Sequence, residues 1–301
     1  MKLLLVRHAQ SHNNVIQASV HQRISKGELK PFEAQHEWLE QRQDDPGLTA
    51  AGHKQTAVLA KHVVRKVKTK GGGKVMMMCS PMKRACETAA AIAALLGERV
   101  ELNTNLCEVG GIYAAKKVMR NALIPSFENV PGVCPSSSDL RSRYPNFDSP
   151  TLPASGPWDG GRGHESVEQA ISRSQTLAHW LKSEDLQSKV GNGMLVLVSH
   201  ADFIALLLAA LQGEVAGKSV NPDFQVSVHG VSEAVLMQET RERSRSGTGK
   251  EPTMVGVDTV YERYRVSLAC SCFCEISPNG GTVIHWLNYK KHLTAAGCTI
   301  Q

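Results

Sequence analysis

Residues 2–11 read KLLLVRHAQS, in which a short apolar run ends at an Arg-His pair, Arg7 and His8. Residues 194–200 read MLVLVSH, so a second apolar run stops at a histidine, His200, and a long apolar segment follows it. Continuous apolar runs of this length are typical of strands that are buried on both faces of a parallel sheet, because a half-exposed strand alternates. The two stretches therefore predict buried parallel strands that end in basic residues.

Helix-like segments alternate with these runs. A third apolar run covers residues 74–79, and segments with helical patterning cover residues 49–68, 81–96, 166–186 and 201–211. Ser80 and Pro81 predict an N-cap followed by the first helical position, and Gly97 and Gly213 predict helix ends. A strand followed by a helix, repeated, predicts an α/β fold. We expect three αβα layers around a mostly parallel central sheet.

A chain of 301 residues can form one large domain or two small ones, and we predict a single domain over residues 1–301. Three segments interrupt the strand and helix pattern. These are a polar stretch at residues 14–46, a stretch rich in Pro, Gly and Ser at residues 110–163, and a predicted mobile loop at residues 239–257. The second contains five aromatic residues, which favour an ordered lid over a disordered insertion: Tyr113, Phe127, Tyr144, Phe147 and Trp158.

Composition excludes several classes of protein. The eight cysteines, without a signal peptide, predict reduced thiols in a cytoplasmic protein, and no apolar run is long enough to span a membrane. The net charge of +6 is moderate, and its basic clusters are typical of a solvated surface. Arg241, Arg243 and Arg245 lack neighbouring aromatic residues that could stack on bases, so we expect no nucleic-acid partner.

Basic residues collect where the predicted strands end. In an open α/β sheet, ligands bind beyond the carboxyl ends of the strands, so Arg7, His8, Arg84 and His200 are predicted to face one cleft. The helices that are predicted to start at Pro81 and Ala201 would point their free N–H groups to the same place. Such a group of donors predicts an anion site, and a tetrahedral oxyanion such as phosphate is the natural ligand.

Six blocks of sequence, in this order, resemble the signatures of the histidine phosphatase superfamily, in its phosphoglycerate-mutase-like branch. They span most of residues 2–212, and the ordered set is specific although each block alone is weak. The blocks are RHAQSHNN (7–14), DPGLTAAGHKQTAVLA (45–60), CSPMKRACETA (79–89), LCEVGG (106–111), GHESVEQAISR (163–173) and VSHADFIALLL (198–208).

The resemblance implies a role for each matching residue. His8 is the expected nucleophile, which would form a phosphohistidine, and Glu108 is the expected general acid and base. Arg7, Arg84 and His200 would hold the phosphoryl oxygens and offset their charge. Further substrate contacts are expected from Asn14, Ala201 and Tyr113. The resemblance implies neither a metal nor a cofactor.

The sequence departs from the family pattern in two places. Alanine replaces the usual glycine after each histidine, at Ala9 and Ala201, which should narrow the approach to phosphate but leave the N–H donors. After Glu108, the E-R-H-Y-G segment of true phosphoglycerate mutases is missing. This favours a phosphatase that acts on a phosphorylated small molecule or peptide. A mutase-type phosphotransferase and a pseudo-phosphatase that binds phosphorylated ligands without turnover remain as alternatives.

Three cysteines near the carboxyl end, Cys270, Cys272 and Cys274, alternate along a predicted strand. With His229 or His285 they could bind a metal ion. Metal sites usually need C-x-x-C spacing and a tight turn, and both are missing here. The pattern therefore favours buried thiols.

Overall fold

A computed structural model describes residues 1–71, 73–121, 124–213, 216–217, 255–256 and 271–289. Its centre is a seven-stranded sheet. The strands are β1 (Lys2–Arg7), β2 (Val75–Cys79), β3 (Val100–Leu102), β6 (Phe147–Asp148), β7 (Met194–Ser199), β10 (Ser271–Ile276) and β11 (Thr282–Tyr289). Their order across the sheet is β11-β10-β1-β7-β2-β3-β6. In this order, each strand from β1 to β6 is parallel to its neighbour, whereas β10 is antiparallel to β1 and to β11. The predicted α/β fold with a mostly parallel sheet is confirmed.

Four helices in two packed pairs flank the sheet. They are α3 (Ala50–Lys66), α4 (Lys83–Leu96), α6 (Val167–Leu181) and α8 (Ala201–Leu211), and α3 packs on α4 as α6 packs on α8. The connections β1 to β2 and β2 to β3 run in one direction across the sheet, and β6 to β7 runs back. Because such crossovers are right-handed, the two helix pairs lie on opposite faces. Strands β1 and β7, between them, are almost wholly buried.

Two helix boundaries differ from the prediction. Helix α4 begins at Lys83 with Met82 as its N-cap, so Ser80 and Pro81 precede it in extended or bent backbone. The Ser80 hydroxyl accepts the Met82 amide and also contacts the His200 ring, which keeps it out of a capping role. The segment at residues 166–186 divides at residues 182–183 into α6 and a short α7 (Glu184–Val190).

The predicted helix ends are as expected. Thr49 caps α3 by accepting the Gly52 amide, and Gly97 ends α4 with φ of 74°. Gly213 follows α8 with φ of 77°. Positive φ is the conformation that glycine adopts without strain, which explains why these two positions end their helices.

The polar stretch at residues 14–46 lies mostly in two helices, α1 (His12–Ser25) and α2 (Pro31–Gln41). They form a small separate core around Val20 and Ala34, and Arg23 bonds both oxygens of Glu37 across them at 2.6 Å. The polar residues of both helices are partly or fully exposed to solvent. Because few apolar residues are needed on the buried side, the sequence of this stretch shows only a weak helical pattern of apolar residues.

The stretch at residues 110–163 contains a hairpin of β4 (Tyr113–Asn121) and β5 (Ile124–Pro131), helix α5 (Ser137–Arg143) and strand β6. Tyr144 and Phe147 stack with ring centroids 4.9 Å apart, and Trp158 is buried. The aromatic residues thus pack as ordered structure in the described part of this stretch. Its action as a lid remains a prediction.

Near the carboxyl end, the structure describes a short pair of strands, β8 (Ala216–Gly217) and β9 (Val255–Gly256). Apart from β9, the loop predicted at residues 239–257 lies outside the described residues, as do His229 and Cys270. No helix in the described ranges is long and apolar enough to cross a membrane.

The cysteines of β10 are buried thiols that form no disulfide with one another. Cys272 and Cys274 pair with Leu5 and Leu3 of β1 and are 0% exposed. His285 instead contacts Phe273 and Glu275, the alternate residues of the same strand. Because side chains alternate along a strand, His285 lies on the other face, and it cannot join these cysteines at one metal ion.

Candidate active site

Three strand ends meet at one level of the sheet. Arg7 pairs with Ser199 in the parallel register of β1 and β7, and Cys79 of β2 pairs with Val198. The residues that follow, His8, Ser80 and His200, therefore lie side by side. A cavity of about 120 Å³ opens at this edge and is lined by residues that include Arg7, His8, Asn14, Arg84, Glu108, Tyr113 and Ala201. Seven of the eight predicted site residues line one cavity. The eighth, His200, lies beside His8, with the ring centroids 5.1 Å apart and the ring planes tilted by 56°.

His8 is held in one orientation and one tautomer. Its Nδ1 lies 2.6 Å from the carbonyl oxygen of Ala9. Because a carbonyl oxygen only accepts, Nδ1 carries the ring proton and Nε2 carries the lone pair. The Arg84 Nε–H points at that lone pair from 3.2 Å. Nε2 is therefore the ring nitrogen with a lone pair, and it faces Arg84.

Burial lowers the pKa of His8 well below 6.5, and the charges of Arg84 and Arg7 lower it further. The hydrogen bond to Ala9 acts in the other direction but is the smallest of these effects. The histidine is consequently neutral at pH 7, which is the state in which an imidazole can attack phosphorus.

His200 is fully buried, and its Nε2 lies 2.9 Å from the Ser80 hydroxyl. Its Nδ1 is buried and has no hydrogen-bond partner among the described residues. Burial, followed by the charge of Arg84, lowers the pKa of His200 well below 6.5. His200 is therefore a neutral ring beside His8, and it can donate to an oxyanion only through the ring nitrogen that carries the proton.

Arg84 leaves the first turn of α4, and its side chain is only 12% exposed. Its Nη1 lies 3.9 Å from Asp45, whose carboxylate also accepts the Lys83 amide at the start of α4. Burial raises the pKa of Asp45 to about 6, although Arg84 acts to lower it. Asp45 thus orients Arg84. Sequence reasoning missed Asp45, although it begins one of the six blocks.

Glu108 reaches the cavity from the loop that follows β3. Its Oε1 accepts the amide of Phe203 at 3.1 Å and the amide of Val109 at 3.0 Å. Burial raises the pKa of Glu108, while Arg84 and Arg7 act to lower it. The carboxyl group therefore keeps its proton at a higher pH than an ordinary glutamate, as a general acid requires.

Several N–H donors that were expected to face the anion are already bonded. The Lys83 amide at the start of α4 donates to Asp45, and the Phe203 amide in α8 donates to Glu108. The Ala9 amide donates to the Thr88 hydroxyl at 3.2 Å. The prediction that these helix amides and the Ala9 amide are available to the anion is wrong, because each of them already donates to a protein group.

Asn14 lines the cavity from α1. Its Oδ1 accepts both the amide and the hydroxyl of Ser11, at 2.9 and 2.8 Å, which fixes the side-chain amide. The oxygen is thereby occupied, so the NH₂ end is the one available to a ligand. Ala201, the first residue of α8, lines the opposite side.

Tyr113 begins the hairpin and is 2% exposed. The Arg42 guanidinium lies 3.9 Å from the centre of its ring, and Arg42 Nη1 donates to the Tyr113 carbonyl at 2.6 Å. His164 meets the same ring edge-on at 5.0 Å. Arg42 and Trp38 also line the cavity, and no motif in the sequence singled them out.

Arg173 supports the Glu108 loop from outside the cavity. It forms a bidentate pair with Glu165, with distances of 2.8 and 2.6 Å, and donates to the carbonyls of Asn105 and Cys107. Its guanidinium also covers the Phe203 ring at 4.2 Å. Arg173 thus joins the acid loop to α8. The sequence signal that could have identified Arg173 is its place in the fifth block, residues 163–173.

Residues 3–117 match the family model of the histidine phosphatase superfamily (branch 1). No curated protein sequence is significantly similar to this chain. Among solved structures, the chain is similar to mycobacterial glucosyl-3-phosphoglycerate phosphatase, with 15% identity, 96% of this chain and 99% of that chain covered, and a TM-score of 0.48. It is also similar to phosphoserine phosphatase of Entamoeba histolytica, with 16% identity, 97% and 98% covered, and a TM-score of 0.47.

The family match confirms the resemblance that the sequence blocks carry. It supports phosphoryl-transfer chemistry of the phosphatase or mutase type. The two solved structures are distant likenesses.

Proposed function

We propose that this chain, which carries the histidine phosphatase superfamily (branch 1) signature over residues 3–117, is a phosphomonoester hydrolase that works through a phosphohistidine on His8 and needs no metal ion. The observation that carries the proposal is the state of His8. It is buried and neutral, Nδ1–H is fixed to Ala9, and the Nε2 lone pair points at the arginine that would hold the phosphoryl group.

In the first step, His8 Nε2 attacks the phosphorus, and the N–P bond forms as the bond to the leaving oxygen breaks. Nδ1 keeps its proton, and the Ala9 carbonyl stabilises the positive charge that the ring gains. Arg7 and Arg84 offset the charge of the phosphoryl oxygens, which is usually the largest contribution to catalysis at such sites. Glu108 gives its proton to the leaving oxygen, so an alcohol departs.

In the second step, Glu108 is a carboxylate and acts as a base. It takes a proton from water, the water oxygen attacks the phosphorus, and the P–N bond breaks with its electrons returning to Nε2. Inorganic phosphate leaves, His8 is again neutral and Glu108 is again protonated. One residue serves as acid and then as base because its raised pKa keeps both states accessible.

Hydrolysis of 4-nitrophenyl phosphate in EDTA tests the proposal. The wild type should turn over without added metal, and His8→Ala should lose at least about a thousandfold in kcat, because the nucleophile is gone. His179→Ala is the matched control, since His179 is exposed at the end of α6. An inactive wild type, activity that EDTA abolishes, or a largely active His8→Ala would overturn the proposal.

A second assay addresses the alternatives. Acid quench of the wild type during turnover should trap a phosphoenzyme that is labile to acid and stable to base, and that is missing in His8→Ala. Interconversion of phosphoglycerates that depends on a bisphosphate primer and outpaces hydrolysis would instead identify a mutase. Phosphate-ester binding without any turnover would identify a pseudo-phosphatase.

A further inference from the structure

The cavity extends beyond the phosphoryl-binding residues to a second wall. Trp38 and Arg42, at the end of α2, and Tyr113, at the start of the hairpin, line it together with His8 and Arg84. A phosphomonoester bound with its phosphorus at His8 would place its leaving group in the remaining space. The residues of this second wall would therefore contact the leaving group.

Arg42 is fixed at this wall. Its Nη1 donates to the Tyr113 carbonyl at 2.6 Å, and the carbon of its guanidinium lies over the Tyr113 ring, 3.9 Å from the ring centre. A stacked guanidinium is already ordered, so it loses little conformational entropy when it binds a ligand. Tyr113 therefore holds the Arg42 side chain in position for a further contact with a ligand.

Among the residues that the structure describes, none forms an ion pair that neutralises the charge of Arg42. Other cations in the described part of the chain have carboxylate partners at 2.6 to 2.7 Å: Arg23 with Glu37, Arg99 with Asp148, Lys117 with Glu40 and Arg173 with Glu165. Within the same described ranges, Arg42 has no carboxylate within 4 Å. Asp44 also lines the cavity, but its Oδ2 accepts the Val133 amide at 2.8 Å.

Trp38 supplies a second donor at the same wall. It is 7% exposed, and its indole Nε1–H is buried without a hydrogen-bond partner among the residues the structure describes. A buried donor without an acceptor costs free energy unless a ligand provides the acceptor. Trp38 and Arg42 are neighbours through the bond from the Arg42 amide to the Trp38 carbonyl, at 3.0 Å. The wall thus combines the Arg42 cation with a buried indole N–H that has no acceptor among the described residues.

We infer that this wall binds a second anionic group on the leaving group, a carboxylate or a phosphate, and that Arg42 determines this specificity. The orientation of the substrate rests on the proposed function, because it places the phosphorus at His8. The preferred substrate is then a phosphomonoester whose alcohol carries a further negative charge.

Matched substrate pairs test the inference by their ratio of kcat/KM. Phenyl phosphate is compared with 4-carboxyphenyl phosphate for the carboxylate, and propyl phosphate with 1,3-propanediol bisphosphate for the phosphate. In the wild type, kcat/KM should be about tenfold or more higher for the charged member of at least one pair, because a hydrogen bond to a charged group contributes a free energy of that size. Arg42→Gln should bring that ratio close to one. Arg23→Gln, in the same pair of helices but outside the cavity, should retain it.

Calorimetry that measures how the same substrate pairs bind to His8→Ala separates this inference from the proposed function. The preference should persist in the dissociation constants of His8→Ala and vanish in His8→Ala with Arg42→Gln. If the wild type fails to hydrolyse phenyl phosphate but this preference is present, the proposed function fails and the anionic subsite stands. Equal binding of both members, or a preference that survives Arg42→Gln, overturns the inference.

Discussion

Glu108 accepts a hydrogen bond from the backbone amide of Phe203, and the 3.1 Å contact fixes the expected general acid at the N-terminus of α8. Phe203 lies three residues after His200, the N-cap of that helix. The second histidine and the acid are therefore positioned by the same helix end, although 92 residues of sequence separate them. The carboxylate also satisfies an amide that the helix itself leaves unpaired.

This double role predicts different results for two substitutions of Glu108. Glu108→Gln retains an oxygen that can accept the Phe203 amide but has no proton to give, so kcat for an alkyl phosphate should fall by about 10²- to 10⁴-fold with an unchanged melting temperature. Glu108→Ala should in addition lose about 1 kcal/mol of stability, as other capping residues do. Steady-state kinetics and thermal unfolding of both variants measure the two effects.

The leaving group supplies the control for Glu108. With 4-nitrophenyl phosphate, whose leaving group needs little protonation, Glu108→Gln should lose much less activity than with an alkyl phosphate. An equal loss on both substrates would show that Glu108 does not act as the acid.

Arg173 is predicted to matter for both stability and turnover although it lies outside the cavity. Arg173→Lys retains the charge but loses the two-pronged contact with Glu165 and the bonds to the carbonyls of Asn105 and Cys107. These groups are mostly buried, so we expect a loss of about 2 kcal/mol in unfolding free energy. Because the Glu108 loop is then less well placed, kcat should fall more than KM changes.

Arg99→Lys is the matched control for this prediction. Arg99 also makes a two-pronged contact, with Asp148, but both side chains are at least half exposed. Its substitution should leave both the melting temperature and kcat unchanged, since exposed pairs contribute little. If Arg173→Lys behaves in the same way, Arg173 does not position the acid loop.

Gly52 is predicted to tolerate no side chain. A Cβ at this position would lie 2.1 Å from the Gln10 carbonyl oxygen, in the segment that continues from His8. Gly52→Ala should therefore push α3 away from residues 8–10, with a loss of about 3 kcal/mol in unfolding free energy and a fall in kcat. Gly97→Ala is the comparison, because a Cβ there meets open space and costs only about 1 kcal/mol through its positive φ. Equal losses in urea unfolding would contradict the steric argument.

Much of the candidate site at the sheet edge was predictable because local patterns define it. Strands β1, β2 and β7 are short apolar runs that are buried on both sides, and parallel strands place the residues after them at one edge. Arg7, His8 and Glu108 fall in motifs of fixed order, and the cavity lies where this rule places it. For these elements, the sequence around each residue is enough to predict where the residue lies in the fold.

The errors arise where distant residues act on each other. Ser80 reads as an N-cap, but its hydroxyl contacts His200, which is 120 residues away. The amides of Ala9 and Phe203 read as free donors, but Thr88 and Glu108 bond them. Arg42 and Trp38 belong to a polar stretch without a motif, and they meet the cavity only because the two-helix insertion folds over it. Such contacts depend on tertiary packing, which local patterns do not encode.

The pH dependence of kcat should reflect the lowered pKa of His8. Burial and the two arginines keep the ring neutral in acid, whereas an ordinary histidine would be about 90% protonated at pH 5.5. Glu108, with its raised pKa, is more fully protonated as the pH falls. We therefore expect kcat at saturating substrate to stay level or to rise between pH 7 and pH 5.5, rather than to halve near pH 6.5.

Two variants show which group causes each part of this profile. Glu108→Gln has no acid to protonate, so the ratio of its kcat to that of the wild type should change with pH as Glu108 titrates, and the ionisation of the shared substrate cancels in that ratio. Arg84→Gln removes a charge that lowers the pKa of His8, so its remaining activity should begin to fall at a higher pH than in the wild type. A wild-type profile that drops with a midpoint near 6.5 would show that His8 titrates as an ordinary exposed histidine, and the electrostatic account of the nucleophile would be wrong.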